Sequence, residues 1–126
     1  GFILGVHEGP QRIHWRISEN TQSIPLEEGM VISNEPGIYL EGRFGIRHEN
    51  LVMCRKGDQN EYGQFMYLEP LTMVPFDRDA ILPEMMTERE LQWLNDYHRK
   101  VYEALAPYFA GEELEWLQEA TAAISR

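Results

Sequence analysis

The stretch at residues 33–50, SNEPGIYLEGRFGIRHEN, decides how this chain is read. It holds two isolated glutamates, Glu35 and Glu49, on either side of a turn signal at Glu41-Gly42-Arg43. The two are equidistant from Gly42, so a hairpin turning on that glycine sets them opposite each other. Directly opposed residues of an antiparallel pair have Cβ atoms about 4.5–5.5 Å apart. Two carboxylates at that distance repel, and a cation between them turns the repulsion into a binding site. Pro36-Gly37 cannot continue an ordinary ladder and is a candidate bulge, which would move the register by one residue. Both registers are therefore open at this level.

Outward from the turn, the second arm alternates over residues 46–54. Arg47, Glu49, Leu51 and Met53 share one face, and Ile46, His48, Asn50 and Val52 the other. A charged pair on a face that later becomes apolar predicts a strand running from a polar site into the core. Before the first arm, residues 25–29 form a turn that leads into the branched residues of a strand at 30–32. Further upstream, residues 2–6 read as a short strand, His7-Glu8-Gly9-Pro10 as a break, 13–17 as extended and 18–23 as polar loop. Downstream, KGDQNEYG at 56–63 reads as a loop. Residues 64–76 read as extended, with Pro70 restricting that segment to a sheet edge or to two short pieces.

From Thr87 the period changes. Thr87-Glu88-Arg89-Glu90 is a capping box, and Leu91, Leu94, Tyr97, Val101 and Leu105 form a helical stripe that ends near Pro107. A second helix is expected over 112–124, with Leu114, Leu117 and Ile124 inward. Strands followed by helices predict an α+β chain, divided as 1–86 and a helical 87–126.

The chain has 126 residues, 43% hydrophobic and 25% charged, enough for a real core. Its 11 basic and 21 acidic side chains give a net charge of −10, which argues against a nucleic acid or an anionic membrane as partner. Cys54 is the single cysteine, so no internal disulfide is possible, and no apolar run approaches a membrane span. These features fit a cytoplasmic protein. The chain opens at Gly1 directly into an apolar run, as expected of a piece of a longer protein.

Each polar candidate has a plainer reading. A lone strand glutamate usually faces solvent; two flanking one glycine-centred turn are less ordinary. Arg47 can pair with Glu49 as a surface ion pair, worth little, or hold a substrate carbonyl or carboxylate. His7 is either structural or, at a strand end, part of a site. His14, His48 and His98 have weaker cases, and His48 and His98 read as structural. Carboxylates with imidazole suit Mn, Zn, Co or Fe. Two glutamates alone reach half of a metal site.

Five blocks together carry a resemblance: Val6-His7-Glu8-Gly9-Pro10, Pro25-Leu26-Glu27-Glu28-Gly29-Met30, Ser33-Asn34-Glu35-Pro36-Gly37, Gly45-Ile46-Arg47-His48-Glu49-Asn50 and Glu69-Pro70-Leu71-Thr72. In this order they resemble the C-terminal half of the Xaa-Pro aminopeptidases, metallopeptidases of the pita-bread (creatinase/aminopeptidase-like) fold. The tail, with Trp93-Leu94-Asn95 and Glu115-Trp116-Leu117, resembles the C-terminal extension of the larger members.

The resemblance implies that residues 1–86 are the C-terminal half of the catalytic domain. It implies a hydrolase with two divalent metals, Mn first and Zn or Co as alternatives, that removes the first residue of peptides with proline second. Glu35 and Glu49 match the two glutamate ligands, Glu49 the bridging one and Glu35 also a proton handler. His7 matches a substrate-contacting, charge-stabilising histidine, and Arg47 an arginine near substrate. The family's two aspartates and ligand histidine would fall upstream of Gly1, so this polypeptide alone is expected to bind metal weakly and to be inactive. His48 stands where an aliphatic residue is usual.

Two other readings compete. One is a pita-bread relative that binds peptides without catalysis; a repelling glutamate pair argues against it. The other is a dimerisation module, with Trp93, Tyr97, Tyr102 and Trp116 as anchors of a homodimer through the C-terminal region.

Overall fold

The computed structural model describes residues 9–14, 16 and 24–126. The expected strand at 2–6 and His7 lie outside the described residues. The chain divides into two compact units, Gly1–Thr72 and Met73–Arg126. By packing, the connector ahead of the helices thus belongs with them and not with the strands.

The first unit is built from one interrupted hairpin and a third strand. Strands β1 (Val31–Asn34) and β2 (Gly37–Leu40) form the outgoing arm, and β3 (Phe44–Arg47) and β4 (Asn50–Asn60) the returning one. β5 (Gly63–Pro70) pairs with the far side of β4. The sheet order is β1-β4-β5, with β2-β3 as a separate two-stranded piece. Gly42, at φ 69°, supplies the positive angle that the tight turn needs, and Arg43 N–H donates to the Leu40 carbonyl at 3.0 Å.

No bulge forms at Pro36. β1 pairs with β4 from Val31↔Met53 to Asn34↔Asn50, and β2 with β3 from Gly37↔Arg47 to Leu40↔Phe44, in one unbroken register. Between them His48 N–H donates to the Pro36 carbonyl at 3.3 Å. Proline has no N–H to return, so the ladder loses one bond there and stops for two residues on each arm. The interruption is symmetric, which is why the register survives it.

The core of this unit lies on the face opposite to the expected one. Ile32 (6% exposed) and its partner Val52 (5%) are buried, with Cys54 beyond them, whereas Val31 and Leu51 on the other face are exposed. The face that carries Glu35 therefore does not run into the core: Ser33, Glu35 and Met53 on it are half-buried, and Val31 and Leu51 exposed. Burying an Ile or Val side chain contributes roughly 1.5–3 kcal/mol, and the Ile32–Val52 pair anchors the register that way.

Residues 56–60, expected as loop, extend β4 instead. They pair with β5 through a one-residue slip between Lys56 and Gln59, two residues facing one. The Gln64 side-chain amide donates to the carbonyls of Gly57 (2.9 Å) and Phe65 (2.8 Å) and so satisfies the bulge. The Asn60 side chain accepts from Tyr62 N–H at 2.9 Å in the closing turn. Among the described strands β5 lies at the sheet edge, and it ends at Pro70, as that proline requires.

In the second unit, α1 (Glu88–Leu105) begins with the expected box: Glu90 N–H donates to the Thr87 hydroxyl (3.2 Å), and Thr87 N–H to the Glu90 carboxylate (2.7 Å). Pro107 sits in a short 3-10 turn, Ala106–Tyr108. α2 (Gly111–Ala120) is shorter than expected. Thr121 ends it, its hydroxyl donating to the Leu117 carbonyl at 2.7 Å. Ile124 is buried, but from beyond the helix. The Asn95 side chain exchanges two hydrogen bonds with its backbone, at 2.9 and 3.0 Å. Antiparallel strands followed by two helices give the α+β chain expected.

Candidate metal-binding hairpin

The symmetric interruption of the hairpin leaves Glu35 and Glu49 as opposed positions. The Pro36–His48 contact is a hydrogen-bonded pair, so its neighbours Glu35 and Glu49 fall at a non-hydrogen-bonded pair, where a regular ladder brings Cα atoms to about 4.5 Å. The pairing expected from the sequence thus holds at the level of backbone register.

Around Glu35 the hairpin builds a polar cluster. Its Oε1 accepts from the Ser33 hydroxyl at 2.6 Å, and its Oε2 is bonded to Arg47 Nη1. Arg47 Nε donates to the Tyr39 hydroxyl at 2.7 Å. Arg47 therefore pairs with Glu35 across the ladder and not with Glu49 beside it. Among the described residues Glu49 has no ion pair. The Tyr39 hydroxyl first, and the Glu35 carboxylate after it, raise the Arg47 pKa, outweighing its partial desolvation. Arg47 is the fixed cation of the cluster.

Tyr39 is in none of the quoted blocks, and Ser33 is in one that implies no role for it. Their signal is positional: Ser33 lies two residues before Glu35 and Tyr39 four after it, on the same face. A Cβ added at Gly45, the partner of Tyr39, would lie 2.5 Å from the Tyr39 ring, and one at Gly37 would lie 2.9 Å from the Tyr39 hydroxyl. The ring lies over the two glycines, and this places its hydroxyl against Arg47.

Hard carboxylate oxygens suit a divalent cation of the Mn or Zn kind. Each carboxylate oxygen has two lone pairs, so Glu35 can accept from several partners at once, Ser33 and Arg47 among them. The described residues fit such a group in part: they include no cluster of three His, Cys, Asp or Glu side chains able to hold a metal. His48 supplies a backbone bond to the hairpin, and His98 is buried in the helical unit. His7 lies outside the described residues.

The model of "Metallopeptidase family M24" matches residues 1–56, and that of the "C-terminal region of peptidase_M24" matches residues 64–124. A probable Xaa-Pro aminopeptidase P of Arthroderma otae is 43% identical over 126 residues, covering 96% of this chain and 20% of the relative. The protein of the same name from Sclerotinia sclerotiorum is 44% identical over 123 residues, covering 94% and 20%. The crystal structure of X-prolyl aminopeptidase from Caenorhabditis elegans, described as a cytosolic enzyme with a di-nuclear active site, is similar with a TM-score of 0.76. It is 31% identical, and the match covers 96% of this chain and 20% of that one. The chain thus spans about one fifth of the length of the relatives it matches.

Proposed function

Because this chain belongs to metallopeptidase family M24, we propose that it supplies the glutamate half of a di-metal Xaa-Pro aminopeptidase site. The observation that carries this reading is the opposition of Glu35 and Glu49 in a register unbroken on both sides. The parent enzyme removes the first residue from peptides with proline second, and its substrate is therefore a peptide.

Glu35 and Glu49 would hold the cations, Glu49 serving both; manganese is the first candidate, with zinc and cobalt after it. When bound, two divalent ions would activate a water and polarise the scissile carbonyl. The residues of this chain do the rest. Ser33 and Arg47 fix the Glu35 carboxylate from both oxygens, which orients the group that takes the proton of the attacking water. Tyr39 fixes Arg47 in turn. Arg47 also stands near the substrate, as a cation beside the carbonyl and carboxylate oxygens of a peptide. His7 stabilises the charge that develops on the substrate oxygen.

The enzyme works in the cytoplasm as a homodimer that joins through the C-terminal region. Trp93 and Trp116, each 58% exposed, support that part of the reading, and no described helix is long and apolar enough to cross a membrane. Tyr97 is not such an anchor: it is buried, with its hydroxyl donating to the Val74 carbonyl at 2.7 Å.

The test is release of the free first residue from an Ala-Pro-peptide. The parent chain does this with manganese and loses the activity on chelation. The 126-residue polypeptide alone does not, because it carries two of the ligands. Turnover by this polypeptide, or none by the parent under any of the three metals, contradicts the reading.

A further inference from the structure

His98 lies fully inside the helical unit, on α1 beside Tyr97 and Val101. Its ring centroid stands 5.9 Å from that of Tyr97 and 6.5 Å from that of Phe76. Phe76 N–H donates to His98 Nε2 at 3.1 Å. Accepting that bond requires a lone pair on Nε2, so the imidazole is neutral and carries its proton on Nδ1. Among the described residues, no protein group accepts from Nδ1.

We propose that His98 is an acid-released latch that fastens the segment at residues 73–86 to α1 in its neutral form and lets the Phe76 amide go when protonated. Protonation turns the Nε2 acceptor into a donor that faces another donor, and the contact changes from attraction to repulsion. A buried imidazolium also lacks water to share its charge.

The charges around the latch make protonation less favourable still. From the fastened segment comes Arg78, whose Nη1 donates to the Glu119 carbonyl of α2 at 2.8 Å. Asp77 and Asp79 flank it, the Asp77 carboxylate accepting from Asp79 N–H in the 3-10 turn Arg78–Ala80. On α1 itself, Asp96 pairs with Arg99 at the surface. The one charge among the described residues that acts on His98 is that of Arg78; burial first and Arg78 second lower the His98 pKa. The Tyr97 bond to the Val74 carbonyl is untouched by protonation, so the opening is local to the residues around Phe76.

Hydrogen–deuterium exchange on the intact protein tests this, with rates corrected for the intrinsic effect of pH. Protection at Phe76 should fall at least tenfold between pH 7.5 and 5, while α2 stays protected. In His98→Gln, whose amide oxygen accepts at either pH, protection at Phe76 should stay level. Unchanged protection in the natural protein, or an equal fall in His98→Gln, overturns the proposal. Should that variant fail to fold, an NMR titration of His98 in the natural protein decides. A midpoint below the ordinary 6.5, tracked by the Phe76 amide, supports the latch, and a midpoint at 6.5 or above with that amide unmoved overturns it.

Discussion

Glu35 stands opposite Glu49 across the hairpin, at the one place where the ladder is interrupted, and the pairs on both sides keep the same register. Pro36 causes the interruption by withholding an N–H, and the equal gap on the returning arm preserves the opposition. A repelling pair is held by main-chain geometry that would otherwise favour two indifferent residues.

The glycines under Tyr39 are the first point of test. Gly45→Ala drives a methyl into the ring at 2.5 Å and forces Tyr39 away from Arg47. The expected cost is about 1 kcal/mol or less, below that of overpacking a closed core because the ring is exposed, read as a lowered unfolding midpoint in denaturant. Gly42→Ala, with open space but a φ of 69°, should also destabilise, through backbone strain alone.

Arg47 uses two separate nitrogens, Nε to Tyr39 and Nη1 to Glu35. Lysine offers one nitrogen and cannot hold both partners. On the proposed function, Arg47→Lys in the longer protein should therefore lower kcat roughly 10–100-fold, the range for residues that orient a ligand. Tyr39→Phe should lower it less, and both should leave the melting temperature nearly unchanged because the pair is exposed.

Much of this was legible in the sequence, and the failures have physical causes. The unshifted register is one of the two that Gly42 and Pro36-Gly37 leave open, and the backbone bond from His48 to Pro36 selects it. Which face is buried did not follow, because Leu51 and Met53 are as apolar as Val52 and Cys54, and alternation alone does not say which side meets the core. The extension of β4 over 56–60 has water on both faces and so shows no hydrophobic period; hydrogen bonds from Gln64 hold it instead. Ile124 fits a helical stripe, yet Asn95 takes its backbone out of the helix. Arg47 and the two glutamates share one face, and a linear reading favours its neighbour Glu49 over the diagonal Glu35.

Acid should fray the start of α1. The bonds from Thr87 lower the Glu90 pKa below its ordinary 4.5. A depressed carboxylate contributes stability that is complete above its unfolded pKa and is lost as pH falls through the folded one. Helicity of α1 by circular dichroism should fall below pH 4.5 in the natural chain. Thr87→Ala should be less helical already at pH 7 and show a weaker acid step.

Asn95→Ala removes both bonds to Ile124 and leaves a part-buried N–H and carbonyl unpaired. The expected cost is about 1–3 kcal/mol. Limited proteolysis should then cut after Arg126-proximal residues of the tail faster than in the natural chain, with α1 still intact.

The opposed glutamates admit one direct measurement: manganese-binding calorimetry on the parent enzyme, paired with melting of the metal-free protein, for the natural chain, Glu35→Gln and Glu49→Gln. Loss of one charge should raise the metal-free melting temperature of Glu49→Gln by about 1–2 °C, since directly opposed like charges destabilise a ladder. Each variant should bind manganese at least tenfold more weakly. Manganese bound by both variants with the affinity of the natural chain would contradict the account.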